Sequence, residues 1–421
     1  MATGRTGIIG LLLLVLLGCT KQTEPEIVEQ KGDKQMHRSV KRGVAFNFVR
    51  TDDAMLLSPY ISWYYNWGNA PGSDAVDTWF ALDSVVYYPM AWSAGYNTSR
   101  IEDYTANHPK SKYLLAFNEP NLKDQANMTP QRAAEHWPQL KEFAAAHNLL
   151  LVSPAMNYGT LEGYHDPVKW LDEFFACDGV SVDDVVAIAV HCYMSSPEAL
   201  KNFIYKFEKY NKPVWLTEFC AWDPVPGDAE AQMTYMCSAV NFLEQCELVE
   251  KYAWFIPRSN GKVDSAPYMQ LLTHTSPSEL THAGKIYCAL SSQDTTVWLD
   301  AKEGVAAIEY VNMANNAIQI RYSEQEQRMM VYILREQEWL DYQVVAPNNA
   351  QTIELRYSGV RDATALVYVD GQIATVVDMP KTGDMDTFSN AEAKLTVAPG
   401  KHTMRIEVGA GAFNLVQFKI Q

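Results

Sequence analysis

The 421-residue chain carries 50 acidic against 34 basic side chains, a formal charge of −16, and so lacks the basic face that nucleic acid binding requires. Its 48% hydrophobic and 20% charged residues mark a globular protein, long enough for two or three domains with real cores. Its 11 Trp and 23 Tyr cluster in places, as in Trp63-Tyr64-Tyr65 with Trp67. That pattern suits ordinary core packing or stacking on the apolar faces of sugar rings.

At the N-terminus, Arg5 precedes an apolar run over residues 8–17 that is too short to span a bilayer and fits a signal peptide. The run closes on Leu16-Leu17-Gly18-Cys19, which resembles a bacterial lipobox. The resemblance implies that residues 1–18 are a lipoprotein signal peptide and that Cys19 is the lipidated first residue of the mature protein. The chain would then be exported and lipid-anchored in a bacterial cell envelope, at the outer membrane or cell surface. Residues 19–42 are expected to form a flexible tether. The six remaining cysteines contain no Cys-x-x-Cys pair, which argues against structural zinc; their spacing assigns no disulfide. Cys192 and Cys220 each close an apolar run and read as small core residues.

From residue 43, eight short apolar or aromatic runs recur: 43–47, 61–67, 85–92, 113–119, 149–157, 185–193, 214–218 and 252–257. Runs that are apolar throughout are characteristic of parallel strands buried on both faces. Helices alternate with them. Thr129-Pro130 and Ser196-Pro197 each place an N-cap before a proline at the first helical position. The fold class expected for residues 43–300 is therefore α/β, a compact TIM (β/α)8 barrel. From residue 301 to 421 the pattern becomes alternating, as in Thr352-Ile353-Glu354-Leu355, with turns at Asp370-Gly371 and Pro399-Gly400. That reads as a C-terminal antiparallel β-sandwich domain.

In such a barrel the reacting groups sit at the C-terminal ends of the strands. The fourth run ends in Asn118-Glu119 and the seventh in Glu218; the sixth ends His191-Cys192-Tyr193, and the eighth contains Trp254. Two carboxylates on one rim, with amide, imidazole, phenol and indole around them, form the kit for cleaving a glycosidic bond. One protonates the departing oxygen, and the other attacks the anomeric carbon or activates water.

Phe117-Asn118-Glu119-Pro120-Asn121, Val190-His191-Cys192-Tyr193 and Trp215-Leu216-Thr217-Glu218-Phe219 resemble glycoside hydrolase family 128, compact-barrel β-1,3-glucanases of the retaining clan A. The resemblance covers about residues 43–260. It implies Glu119 as acid/base and Glu218 as nucleophile, with Asn118 contacting the 2-hydroxyl beside the scissile bond. It further implies Tyr193 near the nucleophile, and His191 and Trp254 lining the substrate site. Trp63, Trp67 and Trp92, at the ends of runs two and three, are candidate sugar platforms.

The tail resembles a family 6 carbohydrate-binding module through Glu338-Trp339-Leu340-Asp341-Tyr342, Tyr368-Val369-Asp370-Gly371 and Phe413-Asn414-Leu415. That resemblance implies sugar binding through Asn414 and an aromatic at Phe388, and a structural calcium with Glu309 as a ligand. The expected protein is a monomeric, retaining endo-glycosidase acting on β-glucan, foremost β-1,3-glucan, without a cofactor or metal for catalysis. A non-catalytic glycan-binding lipoprotein, or the same mechanism on another β-glycan, are the alternatives.

Overall fold

The computed structural model describes residues 38–421; the signal-peptide run, Cys19 and most of the expected tether lie outside the described residues. Eight strands alternate with eight helices: β1 (Arg42–Ala45), α1 (Thr51–Leu57), β2 (Trp63–Tyr65), α2 (Asp74–Leu82), β3 (Val86–Tyr87), α3 (Thr98–Asn107), β4 (Tyr113–Leu115), α4 (Pro130–Ala146), β5 (Leu150–Val152), α5 (Pro167–Phe175), β6 (Ile188–Met194), α6 (Pro197–Tyr205), β7 (Val214–Asp223), α7 (Ala229–Gln245), β8 (Val249–Trp254) and α8 (His282–Ala289). The expected caps form: Thr129 and Ser196 accept from Arg132 and Ala199 backbone N–H groups, with Pro130 and Pro197 next in the chain. Strands β3-β2-β1-β8-β7-β6 pair in parallel, as do β4 and β5. Single parallel bridges, Met90 to Leu115 and Val152 to Ala187, close the ring. Ser39 and Arg42, at the end of the expected tether, are buried, and Arg42 pairs with Glu244 of α7 at 2.9 Å.

Side chains alternate in and out of the barrel. Trp63, Tyr65, Tyr88, Leu115, Val152, Ala189, Trp215 and Ala253 fill the interior, whereas Tyr64, Val190, Leu216 and Trp254 pack outward against the helices. The two indoles pack against Tyr65, Tyr88 and Tyr113, and Gly43 makes room for one of them. A Cβ on Gly43 would lie 2.6 Å from the Trp63 ring. The result is a packed aromatic floor beneath the mouth.

The remaining strands are β9 (Leu299–Asp300), β10 (Val305–Ala306), β11 (Asn312–Met313), β12 (Gln319–Ser323), β13 (Arg328–Arg335), β14 (Trp339–Ala346), β15 (Thr352–Ser358), β16 (Ala363–Val369), β17 (Gln372–Met379), β18 (Ser389–Lys394), β19 (Gly400–Ala410) and β20 (Ala412–Ile420). They form two sheets, β12-β13-β20-β15-β18 and β11-β14-β19-β16-β17, antiparallel apart from the short parallel pair of β9 with β14. The sandwich is joined to the barrel by a shared core and by buried polar contacts. Asn241 of α7 donates to the Ile318 carbonyl at 3.0 Å and accepts from the Tyr310 hydroxyl at 2.7 Å. Arg321 reaches back to Glu230 at 3.0 Å. The six cysteines of the described residues are free. Cys192 and Cys220 are buried, as core residues should be, and burial pushes the Cys192 thiol up to about 12.

Candidate active site

Each group at the barrel mouth is delivered by a strand end. The chain after β4 carries Asn118 and Glu119, whose amides bond the carbonyls of Trp92 and Ala155 at 2.9 Å each. Glu119 sits at φ +44°, a left-handed conformation that a non-glycine residue adopts at some cost. Across the mouth, the β7 register shifts between Leu216 and Phe219, and Glu218 pairs with His191 of β6. That irregularity lets Glu218 face inward although it is one residue out of phase with the interior Trp215.

Glu119, His191 and Glu218 are all buried, and one ligating atom of each lies within 4.8 Å of the others. His191 Nδ1 is 2.9 Å from Glu119 Oε1 and 3.4 Å from Glu218 Oε2. Tyr65 Oη and Trp67 Nε1 donate to Glu218 Oε1 at 2.9 and 2.6 Å, and the Tyr193 hydroxyl donates to Oε2. Asn157, at the end of the fifth run, donates from Nδ2 to Glu119 Oε1 at 3.0 Å.

The electrostatics follow from this geometry. Burial opposes ionisation of Glu119, but the hydrogen bond and charge of His191 and the Asn157 amide outweigh it and hold the carboxyl below its ordinary value. Burial likewise opposes a charge on His191, and Glu218 and Glu119 together reverse that and raise it. Burial and the Glu218 charge push the Tyr65 and Tyr193 phenols far up, so both stay protonated donors. The Glu119 carboxyl is thus held towards its ionised form and the imidazole beside it towards its protonated form.

Asn118 is buried; its Nδ2 donates to Gln125 at 3.2 Å, while its Oδ1 has no partner among the described residues. A buried acceptor left open at a mouth suits an incoming hydroxyl. Trp67 and Trp92 are half-buried at the mouth. Trp67 meets Phe255 at 5.9 Å; Phe255 in turn contacts Tyr193 at 5.4 Å and stacks on Trp222 at 6.0 Å. Trp222 is 40% exposed, the open end of an aromatic wall that starts at the carboxylates.

The expectations for Trp63, Trp254, His191 and Asn414 need correction, and the surroundings of Phe388 and Glu309 follow them. Trp63 is no platform: it is fully buried in the barrel floor, 5.6 Å from Trp215, with its Nε1 bonded to the Lys41 carbonyl at 3.0 Å. Trp254 does not line the mouth, because its place in the strand turns it outward to Phe219 and Tyr287, and its Nε1 donates to the Met269 carbonyl at 2.7 Å. Phe255, the next residue, takes that position. His191 serves the carboxylates and is fully buried. In the sandwich, Asn414 is fully buried and saturated: it accepts from Ile333 N–H at 2.8 Å and donates to Ser358 and the Met385 carbonyl at 3.1 Å each. It is a bracing residue and offers nothing to a sugar. Phe388 is half-buried, with the Arg356 guanidinium 5.8 Å from its ring centre. Glu309 Oε2 accepts from Ala306 N–H at 3.2 Å, and Glu309 shares a small cavity with Asp294. Among the described residues, no group of three Asp, Glu, His or Cys ligands forms around it.

Tyr65, Asn157, Trp222 and Phe255 are the mouth residues that sequence reasoning missed. Tyr65 is two residues before Trp67 and so shares its face; Asn157 ends a run as Glu119 does. Those signals were legible. Trp222 was hidden because β7 continues past Glu218 to Asp223.

Residues 43–287 match the family described as glycosyl hydrolase catalytic core, and residues 306–421 match carbohydrate binding module (family 6). Alkali-sensitive linkage protein 1 of Schizosaccharomyces pombe is 27% identical over 238 residues, 54% of this chain and 40% of that protein. This chain therefore spans less than half the length of that relative. Among solved structures, the chain is similar to a family 128 (subgroup II) endo-β-1,3-glucanase from Pseudomonas viridiflava. The two are 36% identical, with 60% of this chain and 99% of that one covered and a TM-score of 0.55. The corresponding enzyme from Sorangium cellulosum is 32% identical, with 59% and 98% covered and a TM-score of 0.52.

Proposed function

Since the chain belongs to the glycosyl hydrolase catalytic core family, we propose that it is a retaining endo-hydrolase of β-1,3-glucan, with Glu218 as nucleophile and Glu119 as acid/base. The observation that carries this reading is the close approach of the two carboxylates, with ligating oxygens within 4.8 Å. Retaining enzymes keep their carboxyl groups about 5–5.5 Å apart, whereas inverting ones leave about 6.5–9.5 Å for a water. The choice of β-1,3-glucan rests on the two solved relatives, which are endo-β-1,3-glucanases.

Glu218, oriented by the phenol and indole donors, attacks the anomeric carbon. Glu119 in its protonated form, held by His191 at 2.9 Å, protonates the departing glycosidic oxygen. A glycosyl ester forms on Glu218. Glu119, now a carboxylate, draws a proton from water, which attacks the ester and releases the sugar with its configuration retained. Asn118 Oδ1 accepts a sugar hydroxyl, and Trp67, Trp92 and Trp222 line the path of the chain. The module-like sandwich adds glucan affinity. Cys19 carries a lipid that holds the enzyme at the cell envelope, supported by the Leu16-Leu17-Gly18-Cys19 run.

Proton NMR of the first products from laminarin tests the reading, with curdlan, lichenan and xylan as competing substrates. A β-configured new reducing end from laminarin and curdlan is expected. An α-configured product, or cleavage of xylan alone, overturns it.

A further inference from the structure

Both hydrogen bonds to the Glu119 carboxylate from neighbouring side chains end on the same atom. His191 Nδ1 and Asn157 Nδ2 reach Oε1 at 2.9 and 3.0 Å. The two donors are not equivalent. An imidazole nitrogen can donate or accept, according to its protonation state, whereas an amide nitrogen only donates. The orientation of the Asn157 amide is fixed, because its Oδ1 accepts from Tyr158 N–H at 2.8 Å, which turns Nδ2 towards Glu119. The residue itself is clamped by Asn121, whose Nδ2 donates to the Asn157 carbonyl at 2.7 Å.

We infer that Asn157 is a positioning residue that decides which oxygen of Glu119 carries the catalytic proton. With His191 protonated at Nδ1, a proton on Oε1 would face two N–H donors, and the Asn157 amide cannot accept it in any state of the site. The carboxylic acid therefore holds its proton on Oε2, with Oε1 as a carbonyl oxygen receiving Asn157 and His191. His191 keeps its Nδ1 proton, and the proton that the carboxyl group takes up from water sits on Oε2. From there it passes to the glycosidic oxygen as the C–O bond breaks, and water returns one proton to the same carboxyl in the second half of the cycle. The groups facing Glu119 are His191 and Asn157 by hydrogen bond, with Glu218, Tyr65 and Tyr193 close by. Of these, Asn157 alone is a donor that cannot change its protonation state, which suits it to be the fixed reference. The inference rests on the retaining reading above.

The test is leaving-group dependence in the full-length protein. Asn157→Asp keeps the shape and the bond from Tyr158 but puts an acceptor against Oε1, trapping the proton on the wrong oxygen. Its kcat/KM on laminarin is expected to fall about 10²-fold or more, the order that a positioned general acid contributes. On 2,4-dinitrophenyl β-laminaribioside, whose departing group needs no proton, kcat/KM should stay within a few-fold of wild type. Asn157→Ser, whose hydroxyl can donate or accept, should fall between on laminarin and serves where the Asp variant melts early. Equal losses on both substrates, or none on either, in a variant with the wild-type melting temperature overturn the inference. A wild-type protein that cleaves neither substrate overturns the proposed function instead.

Discussion

Asn118 in the barrel and Asn414 in the sandwich are both buried asparagines of the kind that contact sugars, yet the fold treats them in opposite ways. Asn414 spends its amide on a backbone N–H, a hydroxyl and a carbonyl. Asn118 keeps Oδ1 unpartnered, beside a glutamate in a strained backbone conformation. Buried polar groups are normally satisfied, and an open one has an energetic cost. The barrel mouth accumulates such costs, whereas at Asn414 the sandwich avoids them. A residue type at a familiar position is therefore weak evidence of binding; how fully its hydrogen bonds are used separates site from scaffold.

The sharpest way to break this contrast is at the carboxylates. Glu218→Ala should abolish laminarin hydrolysis measured by reducing-end release, and wild-type turnover in that variant would remove the barrel mouth as the site. Next, Tyr193→Phe deletes one donor to Glu218 and should lower kcat about 10²-fold, within the range for one lost electrostatic donor. Trp222→Ala should raise KM for laminarin about 5-fold with kcat little changed, since stacking on an exposed ring is worth about 1 kcal/mol. In the sandwich, Asn414→Ala should leave hydrolysis and curdlan pull-down unchanged while lowering unfolding free energy by about 1–3 kcal/mol, read by urea denaturation. A selective loss of curdlan binding would reverse the distinction drawn between the two asparagines.

The smallest effect is in pH. Glu119 is held below its ordinary value of 4.5 in the folded state, so its stabilisation is present above that pH and fades as pH falls. His191 is raised above 6.5, so its contribution is complete below that pH and is lost as pH rises through its folded value. The pair thus stabilises the fold most between about 4.5 and 6.5. Melting curves of His191→Gln should lose the fall in stability above that window; an unchanged profile would show that the buried imidazole is uncharged.

The barrel was legible because apolar runs of strand length between capped helices leave few other architectures for buried parallel strands. Glu119 and Glu218 were legible because they end such runs. The sandwich was legible from alternation and turns. The direction of aromatic rings was not, and the reason is the two-residue period of a strand. Trp63, Tyr65 and Trp67 share a face but occupy successive heights, so one is floor and another touches the nucleophile. Trp254 and Phe255 are neighbours on opposite faces, so a shift of one residue exchanges core for site.

The sequence by itself determined the elements, their order and the two carboxylates, since these depend on local pattern and on a strand's C-terminal end. Tertiary structure alone decided which neighbours those carboxylates have. The β7 irregularity that turns Glu218 inward, and the bonds from Tyr65, Trp67, Asn157 and His191, join residues brought together only when the barrel closes. A pKa and a proton's position follow from such contacts across space, which no local pattern encodes.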